Sequence, residues 1–195
     1  MSQKTLPPLS VTARGGWLLG TTVVALILDQ VSKLYAFRHL REMPTMSFLS
    51  DIFRIEYAEN HGAFLSLLAN TPEEVRFWVL TVINGAVLVG LAAYLLSTRN
   101  IGLSSFIPLM LVVAGGLGNL IDRIRFGYVI DFLNLGLGEF RTGIFNIADM
   151  FITAGFICMA WTLFFGANEV AETPQDALPE KATEEIPMSG QGHVS

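Results

Sequence analysis

The sequence predicts an all-α membrane protein of four transmembrane helices, with a small β-element or loop over one mouth of the bundle. Three observations carry this. Only 15% of the 195 residues are charged, well below the roughly 25% of an average soluble domain. The mean hydropathy is +0.52. The apolar residues fall in four blocks, at 17–28 (continuing to 37), 77–96, 103–121 and 144–165, each near the ~20 residues that cross a ~30 Å hydrocarbon core. The expected organisation is a tail at 1–14, one four-helix domain at 15–168, and an acidic tail at 169–195.

The first block follows Arg14, as a secretory leader would follow a basic residue. Residues 26–33 (LILDQVSK) offer no small-residue cleavage site, and apolar character resumes at Tyr35 and Phe37, so the block reads as a retained span. Its last turns hold Asp29 and Lys33. That i, i+4 spacing stacks them on one helix face, acid before base, and such a buried pair can neutralise itself. The first link, 38–76, is long, and links of that length are usually functional. Within it, residues 52–60 (IFRIEYAEN) alternate as a strand does and end on Asn60.

The third block carries Gly115, Gly116 and Gly118, a thin face that lets helices approach closely. It closes on Asn119, Asp122 and Arg123, the last two reading as an ion pair or interfacial anchor on equal terms with a part in the chemistry. Residues 126–133 (FGYVIDFL) read as a second strand, holding Asp131 over the helix mouth. Asn146 and Asp149 then fall i, i+3 in the first turns of the fourth block. Cys158 is the only cysteine. With no charged or histidine neighbour to activate it, it reads as a packing residue. Residues 169–195 hold six acids against Lys181, with prolines between, and read as a disordered, solvated tail. No basic patch suggests nucleic acid.

Four spans put both termini on one side of the membrane. Asp29, Lys33, Asn60, Asn119, Asp122, Arg123, Asp131, Asn146 and Asp149 then all belong to the opposite face. Scattered, merely tolerated polar residues would not segregate so, and ionisable groups at span edges usually have work to do. Orientation is less direct. Lys and Arg favour the cytoplasmic side, and the site face has Arg38, Arg41, Arg54, Arg76, Arg123, Arg125 and Arg141 against Lys4, Arg14 and Arg99. Taken literally, that count places the site in the cytoplasm.

The residues narrow the chemistry. Three histidines without a His-Glu-x-x-His spacing make a poor hydrolytic metal site. Ser32 and Lys33 point about 100° apart on their helix, so they cannot pair as nucleophile and base. No Gly-x-Ser-x-Gly elbow is present. A carboxylate dyad remains. Two close carboxylates in a low-dielectric site share one proton, so one activates water while the other polarises a carbonyl. Asp29 and Asp122 each have a cation alongside. Asp131 lies between Ile130 and Phe132, and Asp149 in an apolar helix start, which favours these two as the pair.

Five segments in order resemble lipoprotein signal peptidase (signal peptidase II), the bacterial intramembrane aspartyl protease family. They are Asp29-Gln30-Val31-Ser32-Lys33, Asn60-His61-Gly62-Ala63-Phe64, Gly118-Asn119-Leu120-Ile121-Asp122-Arg123, Val129-Ile130-Asp131-Phe132 and Phe145-Asn146-Ile147-Ala148-Asp149. The resemblance covers the whole four-span core. It implies that Asp131 and Asp149 are catalytic, with Asp29, Lys33, Asn60, Gly62, Asn119, Asp122, Arg123 and Asn146 shaping the site or holding substrate. It implies no cofactor and no metal. The expected partners are prolipoproteins bearing a diacylglyceryl cysteine, membrane lipids and globomycin-type inhibitors, with no nucleic acid. The resemblance also implies a bacterial cytoplasmic (inner) membrane location, cytoplasmic termini, and an extracytoplasmic β-element over a site near the outer surface, against the charge count. Phe64 departs from the pattern, standing where many relatives have alanine. The competing class is a four-helix carrier whose intramembrane charges bind a solute, which does not explain why every polar motif shares one face.

Overall fold

The computed structural model describes residues 9–62, 71–98 and 101–165. The expected tail at 169–195, most of that at 1–14, and Phe64 lie outside them. Among the described residues, four helices are long and apolar enough to cross a membrane: α1 (Val11–His39), α2 (Glu73–Ser97), α3 (Leu103–Phe126) and α4 (Ile147–Phe165). Leu19, Val31, Val89, Ile157 and Trp161 are exposed on their outer faces, as lipid-facing positions require. Cys158 is on that outer surface too, exposed rather than packed inside. An apolar, uncharged side chain is as much at ease in lipid as in a core, so its composition gave no direction.

The helices overrun the apolar blocks wherever a polar residue has a partner inside. Helix α1 starts at Val11, ahead of both Trp17 and the boundary at 15, because Ser10 caps it by accepting from Ala13 N at 3.2 Å. In its second turn Arg14 is buried and donates to Leu95 O (3.0 Å) and to Thr98 O, satisfying carbonyls at the C-terminus of α2. Helix α3 continues through Asn119, Asp122 and Arg123 to Phe126, and stops where Gly127 takes φ of 80°. Helix α2 is α-helical over Glu73–Arg76, π-helical over Phe77–Ile83 and α-helical again from Asn84.

Small residues set the helix contacts. An ideal Cβ on Gly115 would run into the Ala148 carbonyl oxygen and lie 2.9 Å from Ile152 Cγ1. On Gly118 it would lie 2.6 Å from Asp29 Oδ2. The thin face of α3 therefore does two jobs, seating α4 and leaving room for a buried carboxylate. Gly115→Ala is expected to cost about 1–3 kcal/mol by overpacking against backbone that cannot yield. Gly90→Ala, with nothing within 4 Å of its Cβ, is the matched control. Thermal midpoints of the two purified variants check this.

Above the helices lies an antiparallel sheet in the order β1 (Met46–Phe48), β2 (Phe53–Asn60), β3 (Val129–Leu137), β4 (Phe140–Arg141). Strand β2 falls where alternation predicted it. Strand β3 starts three residues later than expected and runs further, because α3 holds Phe126 and Gly127 closes it. Ala36 and Leu40 at the end of α1 pack under Ile130 and Phe132, fastening the sheet to the bundle. Asp51 ties the far end, accepting from Ser47 Oγ (2.6 Å), Arg54 Nε (2.6 Å) and Arg141 Nη1 (3.4 Å). Those partners, Arg54 foremost, hold its carboxyl below the usual range. The register places Asp131 opposite Ala58 and Val129 opposite Asn60, so Asn60 and Asp131 share the face that looks down on the helices.

Candidate active site

Asn146 is the hinge of the site. It stands just before α4 as its N-cap rather than in the first turn. Its Oδ1 accepts from Asp149 N at 2.9 Å, and Asp149 Oδ2 accepts from Asn146 N at 3.1 Å. This is a capping box, in which the two residues satisfy each other's orphan groups. The box fixes the Asp149 carboxylate, and the side-chain nitrogen of the same asparagine donates to Asp131 Oδ1 at 2.6 Å. One residue thus positions both carboxylates, one from the sheet and one from a helix start. Asn60 Nδ2 donates to Asp131 Oδ2 at 2.9 Å, and Asn119 Nδ2 to Asp149 Oδ1 at 2.7 Å.

Beneath this layer lies a buried ionic group. Lys33 Nζ spends its three protons on Asp29 Oδ2 (2.9 Å), Asp122 Oδ2 (3.0 Å) and Asn119 Oδ1 (2.9 Å). Asp29 Oδ1 also accepts from Ala148 N (2.9 Å), and Asp122 Oδ2 from Ile130 N (3.2 Å). The two acids therefore grip the α4 start and β3, the two segments that carry the dyad. Gln30 completes the group, donating to Asp122 Oδ1 at 2.9 Å and lying 3.2 Å from Asp29 Oδ2. Sequence reasoning passed over Gln30, although its i+1 place beside Asp29 in an apolar block was a signal.

Of the readings open for Asp122, the ion pair with Arg123 is not the one that forms. Its cation is Lys33 of α1, because Arg123 lies about 100° round the helix and faces elsewhere. Arg123 Nη2 donates to Gly62 O at 3.2 Å and its charge reaches Asp149 and Asp131. Gly62 N in turn donates to Asn60 Oδ1 at 3.1 Å. All ten residues singled out from the sequence therefore meet in one connected site. A cleft of about 190 Å³ opens beside it, lined by His61, Glu73, Phe77, Thr81 and Arg123.

The electrostatics suit acid–base work. Asp131 is 2% exposed, and burial, followed by the charge of Asp149, pushes its carboxyl up to about 7 against the opposing amides of Asn60 and Asn146. A carboxyl that keeps its proton near neutrality, beside a second carboxylate, is the arrangement of an aspartic peptidase.

Comparison with known proteins agrees with this chemistry. A family model described as signal peptidase (SPase) II matches residues 21–165. The lipoprotein signal peptidase of Streptococcus agalactiae is 36% identical over 143 residues, 73% of this chain and 88% of that protein. That of Sphingopyxis alaskensis is 39% identical over 138 residues, covering 70% and 78%. A bacterial membrane enzyme solved by the in meso method at 2.3 Å shares the fold, with a TM-score of 0.69 at 24% identity over 84% of this chain and 94% of that one. A second, at 1.9 Å, gives 0.64 at 27% identity, covering 77% and 94%. Every residue of the site lies within the matched span, and the chain belongs to the signal peptidase II family.

Proposed function

We propose that Asp131 and Asp149 are the catalytic pair of this signal peptidase, an aspartic endopeptidase that frees signal peptides from prolipoproteins by cutting just before the diacylglyceryl-modified cysteine. The observation that carries the reading is the double hold of Asn146, side chain on Asp131 and backbone on Asp149. Water attacks the scissile carbonyl as Asp149 takes its proton, and Asp131 gives its own proton to the carbonyl oxygen. The tetrahedral intermediate then collapses. Its oxygen returns a proton to Asp131, the C–N bond breaks, and Asp149 protonates the departing amine. Asp149 passes the water's proton to the amine and Asp131 recovers its own, so the pair ends in the protonation state in which it began.

The best-supported location is a bacterial cytoplasmic membrane, with both termini in the cytoplasm and the site near the outer surface. The arginine count that argued otherwise weighs less once partners are known. Arg54 and Arg141 are engaged by Asp51, Arg41 by Glu59 at 3.3 Å, and Arg123 by Gly62, so these charges serve the fold and site before they serve topology. The test is cleavage of a synthetic precursor with and without its diacylglyceryl group by purified protein. Only the lipidated form is expected to be cut, and globomycin is expected to stop it. Equal cleavage of the bare peptide would overturn the substrate assignment.

The raised carboxyl of Asp131 sets the pH behaviour. The rate of cleavage is expected to fall as pH rises through about 7, where the pair loses its shared proton. Stability has the same sign. A carboxyl whose folded value lies above its ordinary one stabilises fully below about pH 4, and that contribution is lost as pH rises toward 7. The midpoint of the wild type, measured against Asp131→Asn, should decline between those limits and level off above them. A constant difference across the range would mean that Asp131 is ionised throughout.

A further inference from the structure

Asn84 is a polar residue in the interior of a membrane span that the site does not use. It is half-buried in α2, and among the described residues its side-chain amide makes no hydrogen bond. An amide left unpaired at hydrocarbon depth is unfavourable, and such groups find a partner whenever one is present.

Its depth follows from the packing of α2 on α3. An ideal Cβ on Gly85 would lie 3.4 Å from Leu120 Cδ2, and one on Gly116 would lie 2.6 Å from Leu88 Cδ2. The two helices run antiparallel, so Asn84 lies level with Leu120 and next to the level of Asn119, which donates to Asp149. One turn nearer the mouth, Thr81 and Arg123 line the same cleft. Asn84 and Leu88, four apart in the α-helical part of α2, share a helix face. Asn84 also sits where the π-helical stretch ends, its N–H reaching Thr81 O and Val79 O, and interruptions of that kind recur at functional sites.

We propose that Asn84 binds the substrate backbone, its carboxamide pairing with a peptide unit on the signal-peptide side of the scissile bond. The inference rests on the peptidase reading above. A carbonyl open to attack by water must leave its helix, and in lipid the freed N–H and C=O groups need partners. The asparagine carboxamide offers a donor and an acceptor together, as a peptide group does. Only the signal-peptide side of the bond lies at this depth, since the mature chain leaves the membrane.

The experiment uses the full chain in lipid-containing micelles and a synthetic diacylglyceryl precursor. Asn84→Leu is expected to raise KM about fivefold with kcat unchanged, the mark of lost uniform binding, without lowering the thermal midpoint. Asn84→Gln, which keeps the carboxamide, should recover most of that loss. Backbone esters placed singly before the cysteine should reveal one position that weakens the wild type about fivefold and Asn84→Leu no further. An unchanged KM in Asn84→Leu, or no coupled ester position, overturns the proposal. So does a wild-type dimer that Asn84→Leu dissociates, since the amide would then pair with a second copy. Asp131→Asn in the same assay tests the peptidase reading separately, because a variant that still cleaves would refute the dyad while leaving the Asn84 comparison readable.

Discussion

Asp131→Asn and Asp149→Asn are each expected to lower the cleavage rate of a lipidated precursor by about 10³-fold or more, and the double variant by no more than either alone. General acid–base catalysis by a positioned group is worth on the order of 10²–10⁴-fold. Groups that act as a unit fail together, so the losses do not add. The fold should survive both changes. Asparagine matches aspartate in shape, and the helices that surround the dyad are held by Lys33 and the glycine contacts rather than by the dyad itself. Thermal midpoints no lower than that of the wild type would show that activity, not folding, was lost. Normal cleavage by either variant would end the assignment, and additive losses would mean that the two carboxylates act independently.

Much of this site was legible from chain order and spacing. Four blocks fix which links share a side, and that alone brings Asp131 and Asp149 to one face. The i, i+4 pairing of Asp29 with Lys33 is a helix property and was read directly. What could not be read were contacts between elements. Arg123 looked like the partner of Asp122 because it is next in sequence, whereas the true partner comes from α1, 89 residues earlier by number. Asn146 lay at the right spacing from Asp149, but its place outside the helix turns a shared face into a reciprocal cap, which periodicity cannot distinguish. Arg14 read as a flanking basic charge. Its burial depends on carbonyls at the end of α2, and no local pattern announces those. The strand boundaries moved for a similar reason. Phe126 suits a strand as well as a helix, and Gly127 decided which.

The second large effect is expected at Lys33, which touches neither catalytic carboxylate. Lys33→Met leaves Asp29 and Asp122, each 1% exposed, facing one another's charge with only Gln30 and backbone donors between them. Breaking a buried ionic group by removing one partner typically costs about 3–5 kcal/mol, enough to lower the midpoint sharply or prevent folding. The same chemistry suggests the repair. Combining Lys33→Met with Asp29→Asn and Asp122→Asn removes all three charges while nearly keeping their shapes, and most of the lost stability should return. Activity should not. Asn119 Oδ1 would lose the ammonium at 2.9 Å and keep only the 3.1 Å bond from Asn146 Nδ2, so its grip on Asp149 loosens, and a displacement of about 1 Å at a reacting group can cost on the order of 10²-fold. A triple variant that folds well but cleaves slowly would show that Lys33 has two separable tasks, neutralising the acids below and orienting the asparagine above. Full activity in the stable triple variant would reduce it to the first.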